Sequence, residues 1–148
     1  MREKTSSDLA PIIDILKNIR LLSELAEGYN NSTEFYKAMD NLTFQASLEL
    51  FISIGIASKR VSNEVKEKHP EIPWGVMKNF VELREKDCTI LNRAIIFDLI
   101  KDKLPNITLF LETIILEELE HKKFNVENYK RYIGYALNAY MDFEDASE

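Results

Sequence analysis

Two histidines, His69 and His121, and one cysteine, Cys88, supply all the imidazole and thiol chemistry in this 148-residue sequence. Imidazole is the side chain best matched to proton transfer near neutral pH. His69 stands in a proline-rich turn and His121 at the end of an apolar-periodic stretch, so each is expected to have a structural or surface role. Cys88 has no histidine close by in sequence to activate it and reads as a buried structural thiol rather than a nucleophile. The densest acidic group, Glu117, Glu118 and Glu120 beside His121, lacks a second ligand pair on another helix, so no metal is expected. No glycine-rich phosphate loop, Gly-x-Ser-x-Gly or Cys-x-x-Cys occurs, and no cofactor is expected either. The remaining charged constellation is Lys78, Glu82 and Lys86, four residues apart, with Arg84 and Glu85 beside them. It reads either as a solvent-facing row of i,i+4 ion pairs or as a cationic site for phosphate. An ordinary lysine, with a pKa of about 10.4, is a poor base unless it is desolvated.

The charge balance weighs against nucleic acid as the main partner. The net charge is −6, and Asp142 to Glu148 contain four acids and no base, whereas attraction to a phosphate backbone depends on clustered cations. The densest basic stretch, Lys59, Arg60, Lys66, Lys68 and His69, is interrupted by Glu64 and Glu67 and reads as a solvated helix face. A single cysteine cannot close an intramolecular disulfide, and no secretory leader pattern opens the chain, so a reducing cytoplasm is expected. The apolar runs fall far short of the roughly 20 residues that span a bilayer.

Positioning these groups falls to a few long elements, because the composition is 45% hydrophobic with only four glycines and four prolines. An all-α antiparallel bundle in one domain, residues 1–148, is the expected fold. The first helix should start after the Ser6-Ser7-Asp8 capping cluster, with Pro11 in its first turn. Its stripe is Leu9, Ile12, Ile13, Leu16, Ile19, Leu22 and Leu25, and it stops at Gly28. Glu34 to Met39 make a short second helix. From Leu42 to Lys68, Phe44, Leu48, Phe51, Ile52, Ile54, Ala57, Val61 and Val65 predict one rod of roughly 40 Å. Gly55 in its middle predicts the close approach of another helix. Pro70 and Pro73 break the rod, and a fourth helix runs from Pro73 to Cys88. Asn92 caps a fifth, Arg93 to Glu120, kinked at Pro105. A sixth follows over 125–143, with Val126, Tyr129, Ile133, Ala136, Leu137 and Tyr140 on its inward face.

Three blocks carry a resemblance. Ile54-Gly55-Ile56-Ala57-Ser58-Lys59-Arg60-Val61-Ser62, Lys68-His69-Pro70-Glu71-Ile72-Pro73-Trp74 and Ile100-Lys101-Asp102-Lys103-Leu104-Pro105 resemble the HepT-like branch of the HEPN superfamily. The resemblance covers about Asp8 to Leu116, so the sixth helix is an addition to five core helices. It implies a small helical bundle of the nucleotidyltransferase-substrate-binding-subunit type that forms homodimers, often as a toxin paired with a minimal nucleotidyltransferase antitoxin. The ribonuclease site it implies is an Arg, four to six residues, then His, with a Tyr two residues further on that some antitoxins adenylylate. On this sequence the Arg falls on Val81, the following Asn on Glu82, the His on Lys86 and the Tyr on Cys88. The family's acidic position in its Ile-Gly-Glu-Ala pattern is Ile56. The motif is therefore missing, and the apolar Ile56 and Val81 are expected to fill the cleft between the long helix and the fourth.

The resulting expectation is a catalytically degenerate HepT-like protein. It would act as a dimeric interaction subunit for a nucleotidyltransferase or another toxin–antitoxin or defence component, with RNA not favoured. The alternatives are a divergent ribonuclease using Glu82, Arg84 and Lys86, and a nucleotide-binding subunit of a nucleotidyltransferase.

Overall fold

Apolar residues recurring at three- and four-residue spacing wind this chain into helices, and the computed structural model describes them over residues 2–85 and 90–120. The elements are α1 (Arg2–Ala26), α2 (Ser32–Lys37), α3 (Leu42–Arg60), α4 (Asn63–Lys68) and α5 (Trp74–Asn79). A 3₁₀ segment (Phe80–Glu85), α6 (Ile90–Asp98), a π segment (Leu99–Lys103) and α7 (Leu104–Glu120) complete the described chain. The predicted all-α bundle is what forms. α1 and α3 run antiparallel, since Arg60, the last residue of α3, reaches Asp14 in the middle of α1 at 3.4 Å, while Leu21 and Leu25 near the end of α1 share a groove with Ala46 and Leu50 in the first half of α3. Among the described residues no helix is long and apolar enough to cross a membrane. The sixth helix expected over 125–143, and His121 before it, lie outside the described residues.

The core follows the predicted stripes with one widening. Leu9, Ile12, Ile13, Ile19 and Leu22 are buried, and so are Ile15 and Ala26, which lie off the expected stripe. The reason is that α1 packs against α7 and the π segment as well as α3, so more than one face is covered. Phe44, Leu48, Phe51, Ile54, Ala57, Val61 and Val65 are buried as expected. Two of the three buried hydroxyl residues in α3, Ser47 and Ser58, are paired with carbonyls of their own helix. Ser47 Oγ donates to the Phe44 carbonyl at 2.6 Å and Ser58 Oγ to the Gly55 carbonyl at 2.8 Å.

Asp8 changes two boundaries. It does not cap α1, which begins at Arg2 and leaves Pro11 in the helix interior. Its carboxylate is 1% exposed and accepts from the Ser62 amide and the Ser62 hydroxyl, both at 2.7 Å. Those bonds hold Ser62 extended, with ψ 155°, and its hydroxyl in turn caps α4 by accepting from the Val65 amide. The single rod expected over Leu42–Lys68 is therefore two helices. Asp8→Ala is expected to cost about 1.5–3 kcal/mol, the usual value of hydrogen bonds to a charged group, read as a lowered urea midpoint.

The expected fourth and fifth helices are also subdivided. α5 gives way to the tighter 3₁₀ winding at Phe80, and the fifth starts at Ile90, two residues before its predicted cap Asn92. The expected kink at Pro105 takes the form of the π segment just before it. The Leu104 amide bonds back to the Leu99 carbonyl, and this wider turn makes room for a proline that has no amide and would crowd the preceding turn.

Candidate functional site

The face that the sequence marks lies where α3 meets α5 and the 3₁₀ segment. A methyl group built on Gly55 would stand 2.8 Å from Val81 Cγ1, 2.9 Å from the Met77 carbonyl oxygen and 3.0 Å from the Val81 amide nitrogen. Glycine is therefore required by backbone contact, which fulfils the expected close approach. One turn earlier Phe51 and Phe80 meet edge to face, with ring centroids 4.9 Å apart. These two contacts set the spacing between the walls.

The residues singled out in the sequence are distributed unevenly across this contact. Val81 is half-buried against Gly55, as expected. Ile56 is not packed into a cleft: it is 53% exposed, and Val76, the neighbour of Met77, is 50% exposed. The expectation that Ile56 fills the cleft is thus corrected. Gly55 faces the 3₁₀ segment, and the next residue on a helix points about 100° away from it. Glu82 and Lys78 are exposed, and three residues per turn from Phe80 onward rotate Glu82 out of line with Lys78. Arg84 lies in the 3₁₀ segment; Lys86 and Cys88 lie outside the described residues.

Beside this face Lys66, on α4, is half-buried. Burial holds its pKa below the ordinary lysine value, the Lys78 ammonium lowers it further, and the Asp8 carboxylate opposes both. On the opposite side of α3, Leu21, Glu24, Leu25, Ala46, Glu49 and Leu50 line a shallow groove of about 500 Å³.

A second titratable group, unmarked in the sequence, forms at the proline turn. His69 is 5% exposed and Glu118, on α7, only 1%. His69 Nε2 is 3.6 Å from Glu118 Oε1, its Nδ1 is 3.4 Å from Glu71, and Lys68 Nζ reaches Glu118 Oε1 at 3.0 Å. The His69 carbonyl accepts from Trp74 Nε1 at 3.0 Å. A histidine between two carboxylates is a constellation suited to proton transfer, but His69 and Glu118 are both buried. The hydrogen bond to Glu118 comes from Lys68, which ties the end of α4 to α7, while His69 Nε2 and Glu118 Oε2 have no hydrogen-bond partner. Glu118 was weighed in the sequence only as a metal ligand. Its pairing with a residue about fifty positions earlier has no local signature. Among the described residues no three His, Cys, Asp or Glu side chains are grouped to hold a metal.

Residues 15–114, about two thirds of the chain, match the family model described as Ribonuclease HepT-like. The chain belongs to the HepT-like family. A protein of Methanocaldococcus jannaschii named "Putative RNase MJ0127" is 31% identical over 109 residues, covering 70% of this chain and 84% of that one. No solved structure matches the chain. The HepT-like match takes in the Gly55 contact, the proline turn, positions 81–88 and Pro105, and it leaves out Asp8 at one end and Glu118 at the other. The bond that bends α3 into α4 and the Lys68–Glu118 ion pair that ties the end of α4 to α7 thus each use one residue from outside the matched segment.

Proposed function

We propose that this HepT-like protein has lost RNA cleavage and works in the cytoplasm as a dimeric interaction subunit, with a nucleotidyltransferase or another toxin–antitoxin or defence component as its partner. The observation that supports this most is the exposed Ile56. Where the family pattern has an acid, this chain carries an apolar side chain turned towards solvent, with Val76 near the same inter-helix contact. Exposed apolar side chains suit burial between proteins better than contact with a polyanion. The substituted positions Val81, Glu82, Lys86 and Cys88 point the same way, since none supplies the neutral imidazole that the family site uses.

Ile56→Glu tests the surface. Wild type is expected to elute at twice the 17.2 kDa mass of one chain, and the variant at the single mass with an unchanged melting temperature. Co-purification with a nucleotidyltransferase encoded beside it should be lost in the same variant. A wild-type chain that stays monomeric and retains no partner would remove the basis of this reading.

A second reading, a divergent ribonuclease using Glu82, Arg84 and Lys86, is favoured by the name of the archaeal relative. Incubation with tRNA and mRNA decides between the two. The interaction-subunit reading expects no cleavage by wild type or by Lys86→Ala. Cleavage by wild type that disappears in Lys86→Ala establishes the ribonuclease instead.

A further inference from the structure

Helix α3 keeps one line of side chains out of the core. Leu42, Ala46, Glu49, Ser53, Ile56 and Arg60 are all exposed, at alternating intervals of four and three residues that hold them on one side of a helix. α1 flanks this line on one side, and α5 with the 3₁₀ segment flanks it on the other, where Met77 and Val81 meet Gly55. The chemistry along the line is ordered. Glu49 comes first, then the small Ser53, then the apolar Ile56, and Arg60 ends the helix. An acid at one end and a cation at the other, with a small and a large side chain between them, match the same series of groups running the opposite way.

We propose that a second copy of the chain packs its α3 antiparallel along this line, about a two-fold axis midway between Ser53 and Ile56. This rests on the reading that the Ile56 surface forms a dimer, and it adds which helices meet and in which direction. Glu49 and Arg60 stand equally far on either side of the axis, so Glu49 faces Arg60 of the partner subunit and Arg60 faces the partner's Glu49. Ile56 faces Ser53 of the partner subunit in the same reciprocal way, as an isologous contact requires. The small serine leaves room for the isoleucine at the roughly 8–10 Å separation of packed helices. A parallel pairing would set glutamate against glutamate and arginine against arginine, so charge selects the antiparallel one. Arg60 gives one N–H to Asp14 at 3.4 Å, and its side chain is 56% exposed. A guanidinium carries five donors, so that bond does not exhaust it. Glu49 also borders the groove of Leu21, Leu25, Ala46 and Leu50, which adds apolar surface beside the line. An unrelated helix would match the line only by carrying its order in reverse, which a second copy does by symmetry.

Cysteines introduced into the full chain test the register, with Cys88→Ser removing the native thiol. Positions 49 and 60 are roughly 16 Å apart on one helix, beyond the Cα separation of about 7 Å that a disulfide allows. Glu49→Cys/Arg60→Cys can therefore join these positions only between chains, and under mild oxidation it is expected to give a covalent dimer. Glu49→Cys and Arg60→Cys alone are expected to give none, because the antiparallel arrangement sets each equally far from its own copy. Charge reversal is a second readout with Cys88 in place. Glu49→Arg and Arg60→Glu are each expected to weaken the dimer at least tenfold in analytical ultracentrifugation, and Glu49→Arg/Arg60→Glu to recover most of that loss. Covalent dimers from either single cysteine would indicate parallel pairing and overturn the proposal, as would a double reversal that rescues nothing. A dimeric wild type whose double-cysteine chain does not cross-link overturns this arrangement and leaves the dimeric reading standing. A monomeric wild type overturns both, and a monomer that holds a nucleotidyltransferase through Ile56 assigns the line to that partner instead.

Discussion

Phe35→Ala is expected to remove about 3–5 kcal/mol, the cost of emptying a buried aromatic site, out of the 5–15 kcal/mol that holds a domain of this kind together. Phe35 is fully buried and meets three rings, Tyr29 at 5.8 Å, Phe44 at 6.2 Å and Phe97 at 5.6 Å. It is the one buried residue of α2, a six-residue helix far too short to persist by itself. The caps are local: Asn31 accepts from the Glu34 amide at 2.9 Å, and the Glu34 carboxylate accepts from the Asn30 amide at 3.1 Å. They fix where α2 starts but not where it docks. Docking rests on Phe35 and on Arg93, whose guanidinium carbon lies 3.5 Å from the centre of the Tyr36 ring. The urea midpoint of Phe35→Ala against the exposed Thr33→Ala measures the effect. A loss below about 1 kcal/mol would mean that α2 is not part of the cooperative core.

Gly55→Ala is the second large effect, and its sign runs against helix propensity. In an open helix this change gains up to about 1 kcal/mol. Here the new methyl would meet the Met77 carbonyl oxygen and the Val81 amide at 3.0 Å or less, and backbone cannot rotate aside as a side chain can. A net loss of about 1–3 kcal/mol is expected, the range of overpacked cores. It should be read as a lowered melting temperature together with faster amide exchange over residues 76–85. A stabilised variant would show that α5 and the 3₁₀ segment stand further from α3. Since Ile56 follows Gly55 directly, any shift also moves the face proposed to bind a partner.

The helical class, the single core and its main residues were legible in the sequence because burial periodicity is a local signal. Gly55 was legible for a related reason: an unfavourable residue in mid-helix needs a compensating neighbour. What the sequence did not disclose depends on contacts between distant residues. Asp8 has the side chain of a helix cap, and only the position of Ser62, 54 residues later, diverts it. The continuous pattern from Leu42 to Lys68 is real, and a tertiary hydrogen bond interrupts it. His69 looked like a turn residue because its partner Glu118 sits on another helix. Ile56 looked like cleft packing because sequence reports apolarity but not which way a side chain faces. The family resemblance put Val81 in the cleft beside the long helix, and Val81 against Gly55 agrees with that placement.

The Asp8–Ser62 bond also constrains the order in which this chain folds. Residues 42–68 carry one continuous apolar periodicity, and the local cap at Ser62 is held in its extended conformation by a carboxylate more than fifty residues away. The bend exists only once α1 has docked and closed a loop of more than fifty residues. Amides from Ser62 to Val65 should accordingly exchange through the same opening event that releases α1, and the two ends of that loop should form a single cooperative unit.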